Sequence, residues 1–192
     1  MMIVGSPEQT EALRLAGDIP CPNCAVQLRP HGHARTRTVR GVGDERLTLQ
    51  PRRAHCAGCG RTRVLLPAAL SARRADTLEA IGTALAAKAA GSGYRTIAAL
   101  LGLPLSTVRR WLRGVPEKHA HWLYGQAVQH AFLLNPEILA RPKQWPSLLG
   151  WSLNILAGAA LAQHHRVGPE LPPWTLIGLF TRGNLLGPTL RT

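Results

Sequence analysis

The chain has 192 residues and carries 23 Lys+Arg against 10 Asp+Glu, a formal charge of +13. That length suits one ordinary domain or two to three small ones. The longest weakly polar run, Pro146 to Ala162, is 17 residues and falls short of the roughly 20 apolar residues that a membrane span requires. The charge is unevenly placed: residues 1–19 carry −2, residues 20–115 carry +12 and residues 116–192 carry +3. A field of that kind attracts polyanions, nucleic acid first among them. Arginine outnumbers lysine 20 to 3, and its planar fork grips phosphate and guanine edges in a way lysine cannot. A GC-rich genome accounts for arginine over lysine, but not for the concentration of charge in one half.

Residues 1–19 read as a short, partly ordered lead-in. They show no positive region followed by an apolar stretch, so an exported chain is not expected and the compartment is read as cytoplasmic. Residues 20–67 carry all the cysteine there is: Cys21-Pro-Asn-Cys24 and Cys56-Ala-Gly-Cys59, two C-x-x-C pairs 31 residues apart. Four thiolates at this spacing suit a tetrahedral zinc ion, and with every position filled by sulfur the metal is structural rather than catalytic. Gly60 supplies the sharp turn that lets backbone N–H groups reach a bound thiolate. An iron–sulfur cluster fits the same spacing. A thioredoxin-like dithiol would need a knuckle that opens an amphipathic helix, and neither does. His31, His33 and His55 lie nearby and are read as surface or supporting residues.

Between the knuckles, Ala34 to Arg40 and Arg46 to Gln50 alternate with a period of two, as half-exposed strands do. Gly41 to Glu45 forms the turn between them, and Arg61 to Pro67 reads as a closing strand. So small a ribbon has little apolar core, and metal ligation should supply much of its folding free energy.

Residues 76–90 are expected to be helical, with Asp76 as N-cap, Glu79 completing a capping box, and Leu78, Ile81, Leu85 and Ala89 on one face. Tyr94 to Arg113 follows as a helical hairpin. Ile97, Leu101, Val108, Trp111 and Leu112 form its shared core, Gly102 permits the positive φ of a tight turn, and Pro104 starts the second helix. Leu105, Ser106, Thr107, Arg109, Arg110 and Arg113 are expected to face outward. If that helix lies in the major groove, Ser106 with Arg109 or Arg110 reads base edges, while Arg95 and Arg113 hold phosphates. Beyond Val115, helices are expected over most of 117–165, with a loop through Arg141-Pro142, and a last short helix opening at Pro172-Pro173-Trp174. Gly183 to Thr192 reads as an irregular tail.

The hairpin resembles the helix-turn-helix of DNA-binding proteins. Cys-Pro-x-Cys at 21–24, Pro51-Arg52-Arg53, Cys56-x-x-Cys-Gly, Val64 to Pro67, Arg73 to Asp76, Ile81 to Leu85 and the hairpin from Tyr94 to Leu112 together resemble short actinobacterial zinc-ribbon and helix-turn-helix proteins of uncharacterised function, often found with transposase genes. The likeness spans residues 20–113 and is loose thereafter, at Pro173-Trp174 and Leu185 to Thr189. It implies DNA binding in a mobile-element setting. The same arrangement resembles the N-terminal recognition part of transposases.

The expected fold is therefore α+β and mainly α: a zinc ribbon at 20–67, a helix-turn-helix domain at 75–115, and a helical tail at 117–192 for oligomerisation or partner docking. The expected function is zinc-stabilised binding of double-stranded DNA, as a transcriptional regulator or transposition accessory associated with the nucleoid. A homodimer or a transposase is the candidate protein partner, and no small-molecule substrate is evident. Catalysis is not expected. The only aspartates are Asp18, Asp44 and Asp76, all before the hairpin, and only Glu117, Glu137 and Glu170 follow Val115, too few and too scattered for a two-metal core. The rival readings are a protein adaptor, and an RNA-binding ribbon for which only Tyr94 offers a stacking ring.

Overall fold

The computed structural model describes residues 2–4, 13, 16–140, 144–167 and 171–187. It is an α+β fold in which the strands lie in the first third and helices follow. Strands β1 (Met2–Val4), β2 (Leu28–His33), β5 (Arg52–Cys56) and β6 (Thr62–Pro67) form one sheet in the order β1-β6-β5-β2. The β2–β5 and β5–β6 pairs are antiparallel, whereas β1 runs parallel to β6, with Met2 opposite Leu65. β3 (Arg37–Arg40) and β4 (Arg46–Leu49) form a separate hairpin.

The sequence expectation differs from this in three places. Met2–Val4 is a strand rather than loose lead-in; residues 1, 5–12 and 14–15 lie outside the described residues. The alternating stretch at 34–40 is strand only from Arg37, and the residues just before it, 28–33, pair with β5 instead. Pro30 and Gly32 interrupt this strand, and the register shifts between Pro30 and His33.

Consecutive side chains of a strand point to opposite faces, and β6 uses this to carry two cores. Leu65 packs with Ile19, Cys21, Leu28, Ala54 and Cys56. Leu66, its neighbour, packs with Val39 of the hairpin and Leu70.

The third and largest core is helical. α1 (Leu78–Ala89) buries Leu78, Ile81 and Leu85 completely, each contributing roughly 1.5–3 kcal/mol by removal from water. α2 (Tyr94–Leu101) and α3 (Leu105–Arg113) add Ile97, Leu101, Val108 and Trp111. α4 (Glu117–Leu134), the single turn α5 (Glu137–Ala140), α6 (Leu148–Val167) and α7 (Pro173–Phe180) complete it. Leu123 of α4, Leu156 of α6, Ile177 of α7 and Leu185 beyond it belong to the same buried cluster as α1–α3. Within residues 117–192, Leu153 is buried, Leu148, Leu149 and Trp151 are half-buried, and Trp122 and Phe132 are exposed. The loop expected through Arg141-Pro142 and the final residues 188–192 lie outside the described residues. No helix among the described residues is long and apolar enough to cross a membrane.

The cap of α1 is not the expected one. Thr77 is the N-cap, its hydroxyl accepting from the Ala80 N–H at 3.2 Å. Asp76 is thereby left free for another partner, and it is buried against Arg40, with Nε donating at 2.9 Å and Nη2 at 2.7 Å to the same oxygen. Backbone bonds flank this pair, Arg40 N–H to Ala75 C=O and Thr77 N–H to Arg40 C=O. At the tip of the hairpin, the Gly43 N–H bonds to the Leu101 carbonyl. Gly102 takes φ 62° in the turn between α2 and α3, and a Cβ there would crowd the Gly43 Cα at 3.3 Å. The β3–β4 hairpin is thus fixed to both ends of the α1–α2 pair.

Losing Arg40 strands a carboxylate that is 3% exposed. Arg40→Ala should cost about 2–3 kcal/mol, and a double-mutant cycle with Asp76→Ala in urea unfolding should return a coupling of about 1–2 kcal/mol. Additive losses would show that the pair is dispensable.

Candidate functional site

The two cysteine knuckles are built alike. In each, the residue after the second cysteine takes a left-handed conformation, Ala25 at φ 58° and Gly60 at φ 66°. Its N–H bonds back to the carbonyl of the first cysteine, Ala25 to Cys21 and Gly60 to Cys56, both at 2.9 Å. The first cysteine's own N–H reaches five residues on, to Val26 and Arg61. Arg63 of β6 crosses between the knuckles, donating to Asn23 Oδ1 at 2.6 Å.

The result is a convergence of sulfur. Cys21 Sγ stands 3.7 Å from Cys59 Sγ, Cys24 Sγ stands 3.3 Å from Cys56 Sγ, and all four lie within 4.8 Å of one another. Four thiolates held tetrahedrally at a metal–sulfur distance of about 2.3 Å stand roughly 3.8 Å apart, so the donor set fits a metal ion of that kind. Cys21 and Cys56 are buried, Cys59 is half-buried and Cys24 is exposed.

The thiols do not ionise alike. The Asn23 backbone N–H aimed at its sulfur outweighs burial and draws Cys21 down to about 6. Cys24 receives the Val26 N–H, which favours its thiolate, but hydrogen bonding to Cys56, burial and the other sulfurs outweigh it and push Cys24 up to about 12. One thiolate therefore forms readily and the next is opposed. A cation at the centre removes that opposition. His55 is half-buried and His31 exposed, their rings 5.5 Å apart beside the sheet, and neither joins the sulfur cluster.

The second notable surface is the outward face of α3. Leu105, Ser106, Arg109, Arg110 and Arg113 are exposed, as is Arg95 on α2. Arg95 and Arg109 both lie near the Tyr94 ring, at 5.8 and 5.9 Å from its centroid. Thr107 departs from the expectation: it is 7% exposed, turned inward beside Val108. Its position, one residue before the buried Val108 and four before the buried Trp111, sets it at the core edge of a helix with about 3.6 residues per turn.

Beyond α3 the basic face continues into a groove of about 930 Å³ between α3 and the start of α4. Arg74, Arg109, Arg110, Arg113 and Lys118 line it together with His119, Trp122 and Gly187. Arg74 is half-buried, donates to the Gly187 carbonyl at 3.2 Å, and has its pKa lowered by burial and then by the charge of Arg110. His119 donates from Nε2 to the Asn184 carbonyl at 3.0 Å, and its ring stacks on Trp122 at 5.2 Å and 16°. Sequence reasoning missed this group, because Lys118, His119 and Trp122 of α4 meet Arg74 and the α3 arginines only in the fold.

Residues 21–111, from the first cysteine to Trp111, match the model of a family described as a domain of unknown function (DUF6431). The match thus takes in both knuckles, the β3–β4 hairpin, α1, α2 and most of α3. No curated protein and no solved structure matches the chain.

Loaded protein should contain one metal ion per chain by plasma mass spectrometry. Cys59→Ser should lose it and unfold residues 20–67 while α1 keeps its helical signal; full metal content in that variant would rule out a four-sulfur site. Burial also depresses the pKa of His119, and of His130, which stacks on Phe180. Between each lowered folded value and the unfolded value near 6.5, the unfolded chain binds more protons, so stability is full above about pH 6.5 and falls with acid. The urea midpoint should drop from pH 7.5 to 5.5, and drop less in His119→Gln/His130→Gln.

Proposed function

We propose that this protein is a zinc-stabilised, non-catalytic binder of double-stranded DNA. In this reading residues 20–67 are a zinc ribbon, α2 and α3 are a helix-turn-helix, and α3 enters the major groove. The observation that carries it is the outward face of α3. Leu105, Ser106, Arg109, Arg110 and Arg113 stand exposed on one helix, and among the described residues none of its arginines is engaged in an ion pair. Guanidiniums without carboxylate partners, set along a helix beside an exposed Ser106, suit phosphate and base-edge contacts. Leu105 provides an apolar contact for a thymine methyl group. Thr107, being buried, is assigned to support of the helix rather than to contact.

Zinc is favoured over other metals because four sulfur donors at tetrahedral spacing leave no open position and suit an ion with no redox chemistry. Cys21, Cys24, Cys56 and Cys59 would hold it. Its part is to fix the sheet, and through Arg40 and Asp76 that sheet and its hairpin are joined to the helices. Asp76, the aspartate nearest the hairpin in sequence, is committed to Arg40, which fits a non-catalytic role. A transcriptional regulator or the recognition accessory of a transposable element is the setting we favour, working in the cytoplasm on nucleoid DNA.

Fluorescence anisotropy with selected duplexes at several salt concentrations tests the reading. If about six phosphates are neutralised, log affinity should fall against log salt with a slope near −5. Arg109→Ala should relax sequence preference by about 1–3 kcal/mol at one base pair, whereas Arg95→Ala should weaken all duplexes alike. A salt-independent affinity, or no duplex binding by metal-loaded protein, would overturn the proposal.

A further inference from the structure

The groove beyond α3 has a composition that duplex binding does not account for. Its lining is cationic, with Arg74, Arg110 and Arg113 from one side and Lys118 from the other. Among the described residues, no carboxylate lines it. The acid of the first turn of α4, Glu117, is exposed and is not among its lining residues. Arg74 is held in place by its bond to the Gly187 carbonyl, within reach of the Arg110 charge. Two like charges held together beside open space are stabilised by an anion between them. The first turn of α4 adds to this, since Pro116 gives no side-chain cap and the turn that bears Lys118 and His119 opens on the groove.

The α4 side also offers a flat aromatic surface. Trp122 is 37% exposed and lines the groove. Its ring stacks on His119, which is fixed in turn by the Asn184 carbonyl. A tryptophan held on one side in this way is a ready platform for a second flat ring. Fixed cations beside a fixed, part-exposed aromatic match the two halves of one chemistry, a phosphate and the base attached to it.

We propose that the groove between α3 and α4 is a nucleotide-binding site, with phosphate held by Arg74, Arg110, Arg113 and Lys118 and the base stacked on Trp122. The nucleotide is either free or the unpaired end of a nucleic-acid strand; the chemistry is the same. Because Arg110 and Arg113 also lie on the outward face of α3, a free nucleotide would compete with duplex DNA. That competition rests on the DNA reading, whereas the site itself does not.

Calorimetric titration of the metal-loaded full chain with inorganic phosphate, AMP, ADP and 5′-phosphorylated single-stranded (dT)8 tests it. A nucleotide or the oligonucleotide should bind at least about tenfold tighter than phosphate. Trp122→Ala should weaken that binding by roughly 5- to 150-fold, the worth of one base–aromatic stack, and leave weak phosphate binding unchanged. Trp122→Phe, which keeps a ring, should restore most of the affinity and covers the case in which the alanine variant does not fold. Binding of AMP or ADP identifies a free ligand, and binding of (dT)8 alone identifies a strand end. Equal affinity for phosphate and nucleotide, or full affinity in a folded Trp122→Ala, would overturn the site. Nucleotide binding without duplex binding would sink only the DNA reading, and duplex binding without nucleotide binding only this one.

Discussion

Four sulfurs confined within 4.8 Å of one another are the constraint on which the first third of the structure depends. The core around them has six buried side chains, Ile19, Cys21, Leu28, Ala54, Cys56 and Leu65, and two of the six are cysteines. So few apolar groups remove little surface from water, and the ordering of some fifty residues costs far more than they return. Ligation of a metal is the interaction able to make up the difference. The first knuckle accepts a local cost to present its sulfurs. Ala25 occupies a left-handed conformation that glycine adopts freely, as Gly60 does at the matching position of the second knuckle.

From that cluster the order passes to the helices through β6 and the hairpin. β6 carries Leu65 toward the sulfurs and Leu66 toward Val39, so a single strand joins the two small cores. The hairpin then meets the helices at two points, Arg40 on Asp76 and Gly43 on the carbonyl of Leu101. The second contact falls at the turn before α3, the helix that bears the exposed arginines. A change in the sulfur cluster is therefore connected, through strand and hairpin, to the element we assign to DNA contact.

The helices after α3 are part of the same body. Leu123, Leu156, Ile177 and Leu185 lie in one buried cluster with Ile81, Leu101 and Trp111. Their contribution to the basic surface is the start of α4, which sets Lys118, His119 and Trp122 across from α3. Exposed Phe132 and Leu133 sit near the far end of the same helix, well along the chain from the groove.

Much was legible in the sequence because it depends on near neighbours along the chain. The cysteine spacing marked the four residues whose sulfurs converge, since a knuckle is a four-residue unit. Strand alternation at Arg37–Arg40 and Arg46–Leu49 and the helical period at Leu78, Ile81 and Leu85 marked elements, since each period follows from local backbone geometry. Gly102 marked the turn between α2 and α3, because its positive φ is a demand on one residue. What the sequence hid depends on distance in space. Asp76 looked like a cap and proved to be the partner of Arg40, because Thr77 caps as well and only the fold brings a residue 36 positions away against the carboxylate. Met2–Val4 joined the sheet because β6 had an open edge, which no local pattern announces. Arg74, Arg113, Lys118 and Trp122 became one groove only when the fold set the segment before α1 and the start of α4 beside α3. Spacing along the chain determines which residues repeat on a face; packing alone decides which faces meet.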